Sequence, residues 1–94
     1  MGTLTAQMAL RTDQVWRLYV VVYGEIEWPT FQWKDSGPVP TVADRRRVLA
    51  ALGYEVAPGA VWSWIEDSRD LGDDSTPVVL IAAVDVREQE GATA

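Results

Sequence analysis

The chain of 94 residues is long enough for one domain with a single hydrophobic core. Its 48% hydrophobic and 23% charged residues are typical of globular proteins and argue against disorder throughout. It contains no Cys and no His, which excludes Cys-based zinc sites, Cys nucleophiles, disulfides and haem-binding His, and removes the commonest general base. The net charge of −6 argues against general binding to nucleic acids or anionic membranes.

The location of the protein is predicted from two missing signals. Met1–Leu10 has no charged segment followed by an apolar run, so we expect no signal peptide. The longest uninterrupted apolar run is the seven residues Val78–Val84, which is far short of a membrane span. We therefore expect a cytoplasmic protein that does not bind membranes.

Three extended segments are predicted in the first part of the chain. Thr5–Arg11 alternates between apolar and polar residues, and Val15–Tyr23 is almost entirely β-branched or aromatic. Thr12–Gln14 between them is a candidate hairpin turn. Ile26–Trp33 contains Pro29, which cannot donate to a strand ladder, so this segment is predicted as an edge strand or an irregular extended piece.

A single helix is predicted over Thr41–Leu52. Thr41 is a favourable N-cap residue, and Asp44 three positions later forms a variant of the capping box. Gly53 fits the left-handed position that ends many helices. The apolar face consists of Val42, Val48, Leu49 and Leu52, with Arg45 at its border.

Two further strands are predicted after the helix, at Ala60–Glu66 and Val78–Arg87, with an acidic loop at Asp67–Pro77 between them. The order β-β-β-α-β-β predicts an α+β fold, with a mostly antiparallel sheet of four to five strands and one helix on one face. Residues 1–94 are predicted to form one domain with an ordered core of about 4–88, and the tail 89–94 is expected to fray. The second face of the sheet then needs another cover: the Trp-rich loop, a second copy of the chain, or a partner.

The five Trp residues are the strongest unusual feature of the composition. Trp62 and Trp64 are predicted to share one strand face, while Trp28, Phe31 and Trp33 lie in the Pro-interrupted segment. These side chains either pack the core or form an aromatic surface that binds a protein or an apolar small molecule. Stacking on nucleic-acid bases also requires a cationic groove, which this acidic chain largely lacks.

Two charged clusters each allow more than one interpretation. Arg45–Arg47 spread over about 200° of a helix, so they form either a solvated face or separate contacts with an anion or acidic partner. Glu66–Asp74 carries five acids but lacks EF-hand spacing, which leaves a solvated loop, metal binding or contact with a basic partner. Glu25 and Glu27 form a carboxylate pair of a kind that any acidic chain offers. No nucleotide-binding or hydrolase motif is present in the sequence.

A resemblance to a known family is carried, over about residues 14–88, by Trp16–Val22, Trp28–Thr30, Val39–Tyr54, Trp62–Asp67 and Leu80–Val84. In these segments the chain resembles a family of small actinobacterial proteins classed as a domain of unknown function. The resemblance implies a compact domain from a bacterial, cytoplasmic source. It carries over no catalytic or binding residue.

The first functional hypothesis is a small non-enzymatic binding or adaptor domain that acts as a homodimer or with a protein partner, without a cofactor or metal. Its candidate site residues are Trp28, Phe31, Trp33, Trp62 and Trp64 as anchors, with Arg46 and Arg47 as rim charges. One alternative is a domain that binds an apolar or aromatic metabolite between sheet and loop. The other is an acidic mimic of a nucleic acid that inhibits a basic protein.

Overall fold

A computed structural model of the chain describes residues 3–10, 13–34, 37–68, 70 and 72–89. These residues form one helix and six strands: β1 (Leu4–Leu10), β2 (Trp16–Val21), β3 (Thr30–Gln32), α1 (Val42–Leu52), β4 (Tyr54–Val56), β5 (Ser63–Ser68) and β6 (Val78–Glu88). Every strand pairing among them is antiparallel. The predicted class, an α+β fold with one helix and a mostly antiparallel sheet, is confirmed.

The eleven-residue strand β6 organises the sheet by pairing along both of its edges. β1 pairs with one edge, and β2 and then β3 extend the sheet outward from β1. β4 and β5 share the other edge, because β4 pairs with the C-terminal end of β6 and β5 with its N-terminal half. A turn between them is closed by the Ala60 N–H, which donates to the Ala57 carbonyl at 3.0 Å. β3 and β5 consequently lie at opposite edges of the sheet.

The strand register aligns side chains into rows that cross the sheet. One row on the helix-covered face consists of Trp64, Ala82, Met8, Leu18 and Phe31. Its three central residues are fully buried in the core that Val48 and Leu49 of α1 join. Its two aromatic ends are 43% and 39% exposed. The helix thus covers the centre of this face and leaves an aromatic side chain partly exposed at each edge.

The ends of α1 follow the predicted local signals. The Thr41 hydroxyl accepts from the Asp44 N–H, the Asp44 carboxylate accepts from the Thr41 N–H, and both distances are 3.1 Å. Gly53 ends the helix with a φ of 97°, in the left-handed region that favours glycine. The buried face of the helix differs from the predicted one at two positions: Arg45, expected at its border, is only 6% exposed, and Val42, expected on it, is 44% exposed.

The opposite face of the sheet has no described helix over it. The Tyr19 hydroxyl donates to Gln7 Oε1 at 2.9 Å, and Trp28 stacks on Tyr19 with ring centroids 5.9 Å apart. The Trp28 indole N–H in turn donates to the Val22 carbonyl at 2.9 Å. The Trp-rich segment therefore covers the β2 side of this face, whereas Ile65 at the β5 edge remains 60% exposed.

Two predicted strands begin three or more residues later in the structure than expected. The segment Ile26–Trp33 pairs with β2 as a strand only over Thr30–Gln32, because Pro29 has no N–H for the ladder. The strand expected at Ala60–Glu66 begins at Ser63, because the preceding turn delays its pairing with β6. Trp62 therefore lies before the strand and does not share a strand face with Trp64.

The short strand β4 is missing from the predicted order. It has three residues and follows the helix directly, so it offers no alternation long enough to detect. Some predictions fall outside the described residues: Arg11 at the end of the first strand, Thr12 of the hairpin turn, Asp35 and Ser36 of the loop before the helix, Arg69 and Leu71 of the acidic loop, and positions 90–94 of the tail.

The capping box predicts a pH-dependent contribution to stability. Hydrogen bonds from Thr41 hold the pKa of Asp44 below its ordinary value. A carboxyl group whose pKa is lowered by folding stabilises the native state above its unfolded pKa and loses that effect as the pH falls through its native pKa. We expect Asp44→Asn to lower the urea midpoint at pH 7. The difference from the native chain should begin to shrink near the unfolded pKa of about 3.9 and disappear below the native pKa, which is lower. Asp74→Asn controls for net charge, and a difference that grows on acidification would contradict the prediction.

Candidate functional site

The outer edge of β5 belongs to the longest of the edge strands in the described part of the sheet. Every residue of Ser63–Asp67 is exposed, and β5 pairs with β6 alone among the described strands. Trp64 lies on the helix-covered face and Ile65 on the opposite face, and they are 43% and 60% exposed. A partner at this edge would meet large apolar side chains on both faces.

The main-chain groups of Trp64 and Glu66 point away from the sheet. The Ala57 N–H donates to the Asp85 carbonyl at 2.9 Å, so odd-numbered residues of β6 direct their hydrogen-bonding groups toward β4 and β5. Ile65 lies opposite Ile81, one of those odd-numbered residues, and bonds inward. Because hydrogen-bonding direction alternates along a strand, Trp64 and Glu66 bond outward. Each of them leaves an N–H and a carbonyl at the open edge.

Arg45 forms a cation–aromatic cluster beside this edge. Its guanidinium carbon lies 4.9 Å from the ring centroid of Trp62 and 5.4 Å from that of Trp64. Its Nε donates to the Pro40 carbonyl at 3.0 Å. Trp64 also meets Trp16 edge to face, with centroids 5.8 Å apart. These contacts fix the orientation of the Trp64 ring.

The charge of Arg45 has no carboxylate partner within 4.0 Å among the described residues. Burial lowers the pKa of the guanidinium from its ordinary value, yet an arginine side chain stays protonated in proteins. The indole Nε1 of Trp62, in the same cluster, is buried without a hydrogen-bond partner. The cluster therefore holds a guanidinium whose charge no described carboxylate neutralises, beside a buried N–H donor without a partner.

A second aromatic group lies on the other side of the helix. Phe31 and Trp33 meet edge to face with centroids 4.9 Å apart. Arg47 of α1 forms an ion pair with Asp44 nearby. A shallow groove of about 270 Å³ is lined by Phe31, Trp33, Asp44, Arg47, Val48 and Ala51.

The seven predicted site residues do not form one surface. Trp62 and Trp64 each contact Arg45, and Phe31 and Trp33 meet near Arg47 at the other edge. Trp28 lies on the opposite face of the sheet. Arg46 is exposed and lines a separate groove of about 460 Å³ beside the turn at Pro58 and Gly59.

Two residues, one beside the β5 edge and one in it, were not predicted as site residues from the sequence. Arg45 precedes the buried pair Val48 and Leu49 by three and four positions, a helical spacing that places it on the buried face. Its charge obscured that signal. Ile65 follows the strand alternation, but its exposure depends on β5 being an edge strand, and this comes from long-range pairing.

Three other kinds of site were considered: a groove beside Trp28, the acidic loop and a metal site. A groove of about 500 Å³ is lined by Val22, Tyr23, Glu25, Glu27, Trp28, Pro29 and Tyr54. In the acidic loop, hydrogen bonds from Ser75 hold the pKa of Asp73 below its ordinary value. The described residues contain no group of three or more Asp, Glu, His or Cys arranged to hold a metal ion. The one helix of the described residues is not long and apolar enough to cross a membrane.

The described residues form a small α+β domain with one helix and an open edge at β5. The chain belongs to the family of unknown function DUF6303, which matches residues 2–94. No curated protein and no solved structure matches the chain. The predicted resemblance to a domain of unknown function is thereby confirmed, while the actinobacterial source stays a prediction.

The cation–aromatic cluster yields a prediction about stability. Arg45→Met keeps most of the aliphatic packing but removes the charge over Trp62 and Trp64 and the bond to Pro40. We expect it to lower the free energy of unfolding by about 1–2 kcal/mol, measured by urea denaturation. The exposed neighbour provides a matched control, since Arg46→Met should change stability by less than about 0.5 kcal/mol. Equal effects of the two substitutions would show that the cluster contributes nothing.

Proposed function

We propose that the protein is a non-enzymatic protein-binding module that acts through the outer edge of β5 and the adjoining Trp62–Trp64 flank, with a second copy or another protein as its partner. The observation that carries the proposal is the exposed edge strand itself, with the outward main-chain groups of Trp64 and Glu66. Such an edge binds an extended strand by main-chain hydrogen bonds, and neighbouring side chains give specificity.

The aromatic flank supports binding to a protein more than binding to a metabolite. Trp residues are enriched among the side chains that contribute most to protein interfaces. Trp64 is held in place by Arg45 and Trp16, so little side-chain entropy is lost when a partner packs on it. The residues of the edge are exposed, whereas metabolite sites are concave and enclose their ligand.

The proposal predicts that a charge at the β5 edge blocks binding. Ile65→Lys places an ammonium group where a partner strand would pack, a device that natural edge strands use against pairing. Gln32→Lys is the matched control. The row of paired residues that starts at Ile65 crosses the sheet through Ile81, Ala9 and Arg17, and it ends at Gln32 on the β3 edge.

Binding is measured by sedimentation of the purified chain and by capture of proteins from a lysate, with wild type and both variants as bait. We expect at least a tenfold loss of self-association or of a captured partner for Ile65→Lys, and little change for Gln32→Lys. If no interaction distinguishes the two variants, the proposal is wrong.

Alanine at the two tryptophans is a less specific test. Trp62 packs against the core, and Trp64 contacts both Arg45 and Trp16. Removing both rings would uncover the buried Arg45 side chain and destabilise the fold as well as the edge. A loss of binding in that double variant would therefore not separate the two effects.

A second candidate function rests on the groove of about 500 Å³ between the Trp28 segment and Tyr54. Aromatic rings and two carboxylates line it, so it fits a small molecule that carries an aromatic ring and a positive charge. Such a ligand should change Trp fluorescence and raise the melting temperature. Unchanged melting of the wild-type chain across a panel of aromatic amines would rule this function out.

The acidic-mimic hypothesis has weaker support. Glu66 and Asp67 are exposed on β5, but they share that strand with the apolar residues Trp64 and Ile65. In the loop, Asp73 accepts hydrogen bonds from Ser75, which gives it a local structural role. We place the protein in the bacterial cytoplasm as part of the same proposal.

A further inference from the structure

We propose that the partner of the β5 edge is a second copy of this chain, paired antiparallel with β5 about a twofold axis at Ile65. This inference rests on the proposed function and specifies its occupant. The outward-bonding residues Trp64 and Glu66 lie one position on either side of Ile65. An axis there places Trp64 of each copy opposite Glu66 of the other, so the outward N–H and carbonyl groups of all four residues find partners.

Side chains also match across this axis. Ile65 meets Ile65 of the second copy on the face without a helix, where it is 60% exposed in the single chain. On that same face Ser63 lies opposite Asp67, which pairs a hydroxyl with a carboxylate. No two like charges lie directly opposite one another in this register.

Charge complementarity favours a second copy as the occupant. The Arg45 guanidinium lies 5.4 Å from the Trp64 ring centroid and has no carboxylate partner among the described residues. Glu66 is exposed on the same face and has no described ion pair either. The proposed register brings Glu66 of the second copy beside Trp64, and hence toward Arg45. Each copy thereby supplies the charge that the other lacks.

Neighbouring registers fit less well. An axis at Glu66 sets two carboxylates directly opposite each other, which is destabilising. An axis at Trp64 sets Glu66 opposite Trp62, which lies outside the strand because β5 begins at Ser63. Ser68 also bonds outward, but its N–H already donates to Asp67 Oδ1 at 2.8 Å. The axis at Ile65 pairs Trp64 with Glu66 within the strand and sets no carboxylates opposite each other.

A cysteine substitution tests the register directly, because the chain contains no Cys. Residues that face each other across an antiparallel pair without sharing hydrogen bonds have Cα atoms about 4.5 Å apart, within the range of a disulfide. Under oxidised glutathione, Ile65→Cys should therefore give a covalent dimer. Asp67→Cys is the matched control, since the two copies of this position lie roughly 13 Å apart and should not cross-link.

The predicted ion pair is tested separately by sedimentation. Glu66→Gln removes the charge that would face Arg45, and we expect it to weaken dimerisation about tenfold. Glu88→Gln, an exposed glutamate on β6 away from this edge, should leave the dimer unchanged.

The outcomes separate this inference from the proposed function. A wild-type dimer that cross-links at position 65 and not at 67 supports both. Cross-linking at 67 without 65 overturns the register. The wild-type chain could instead be a monomer that binds another protein, for example a basic extended segment, and loses that binding with Ile65→Lys. This result overturns the second-copy inference and leaves the proposed function standing. A monomer without any edge-dependent partner contradicts both.

Discussion

Main-chain pairing along both edges of β6 decides where every other strand of this domain lies. One edge is paired with β1 from Leu80 to Val86, whereas the other is divided between β4 and β5. Six residues, 57–62, form the turn between those two strands, but only two residues of β6, 84 and 85, separate the segments with which the strands pair. Since nothing in the described chain pairs beyond β5, the division leaves a six-residue strand with one open edge. The candidate binding surface follows from this arrangement.

The parts of the fold with local causes were predictable from the sequence. Thr41 and Gly53 mark the ends of the helix because capping and left-handed backbone depend on the residues at those positions. The alternating strands were predictable for the same reason. The edge position of β5 and the existence of β4 were not, because both depend on which distant segment pairs with β6.

The candidate site was harder to predict than the fold, for a physical reason. A Trp side chain is suited both to a core and to an interface, so its type does not say which role it has. Trp62 and Trp64 lie within reach of the same guanidinium, yet Trp62 is half-buried and Trp64 is exposed at the edge. The sheet places Trp28 on the other face altogether. Arg45 was misplaced because its charge outweighed its helical spacing, although two indole rings make a buried guanidinium tolerable.

The most direct test measures amide hydrogen exchange in β5 by NMR at increasing protein concentration. It shows whether the outward main-chain groups of this edge are free and become paired on association. In dilute solution the amides of Trp64 and Glu66 should exchange rapidly, while that of Ile65, which bonds inward to β6, exchanges slowly. At high concentration Trp64 and Glu66 should become protected as the edges of two copies pair. Rates for Trp64 and Glu66 that match that of Ile65 in dilute solution, or that do not change with concentration, would contradict this account of the open edge and its partner.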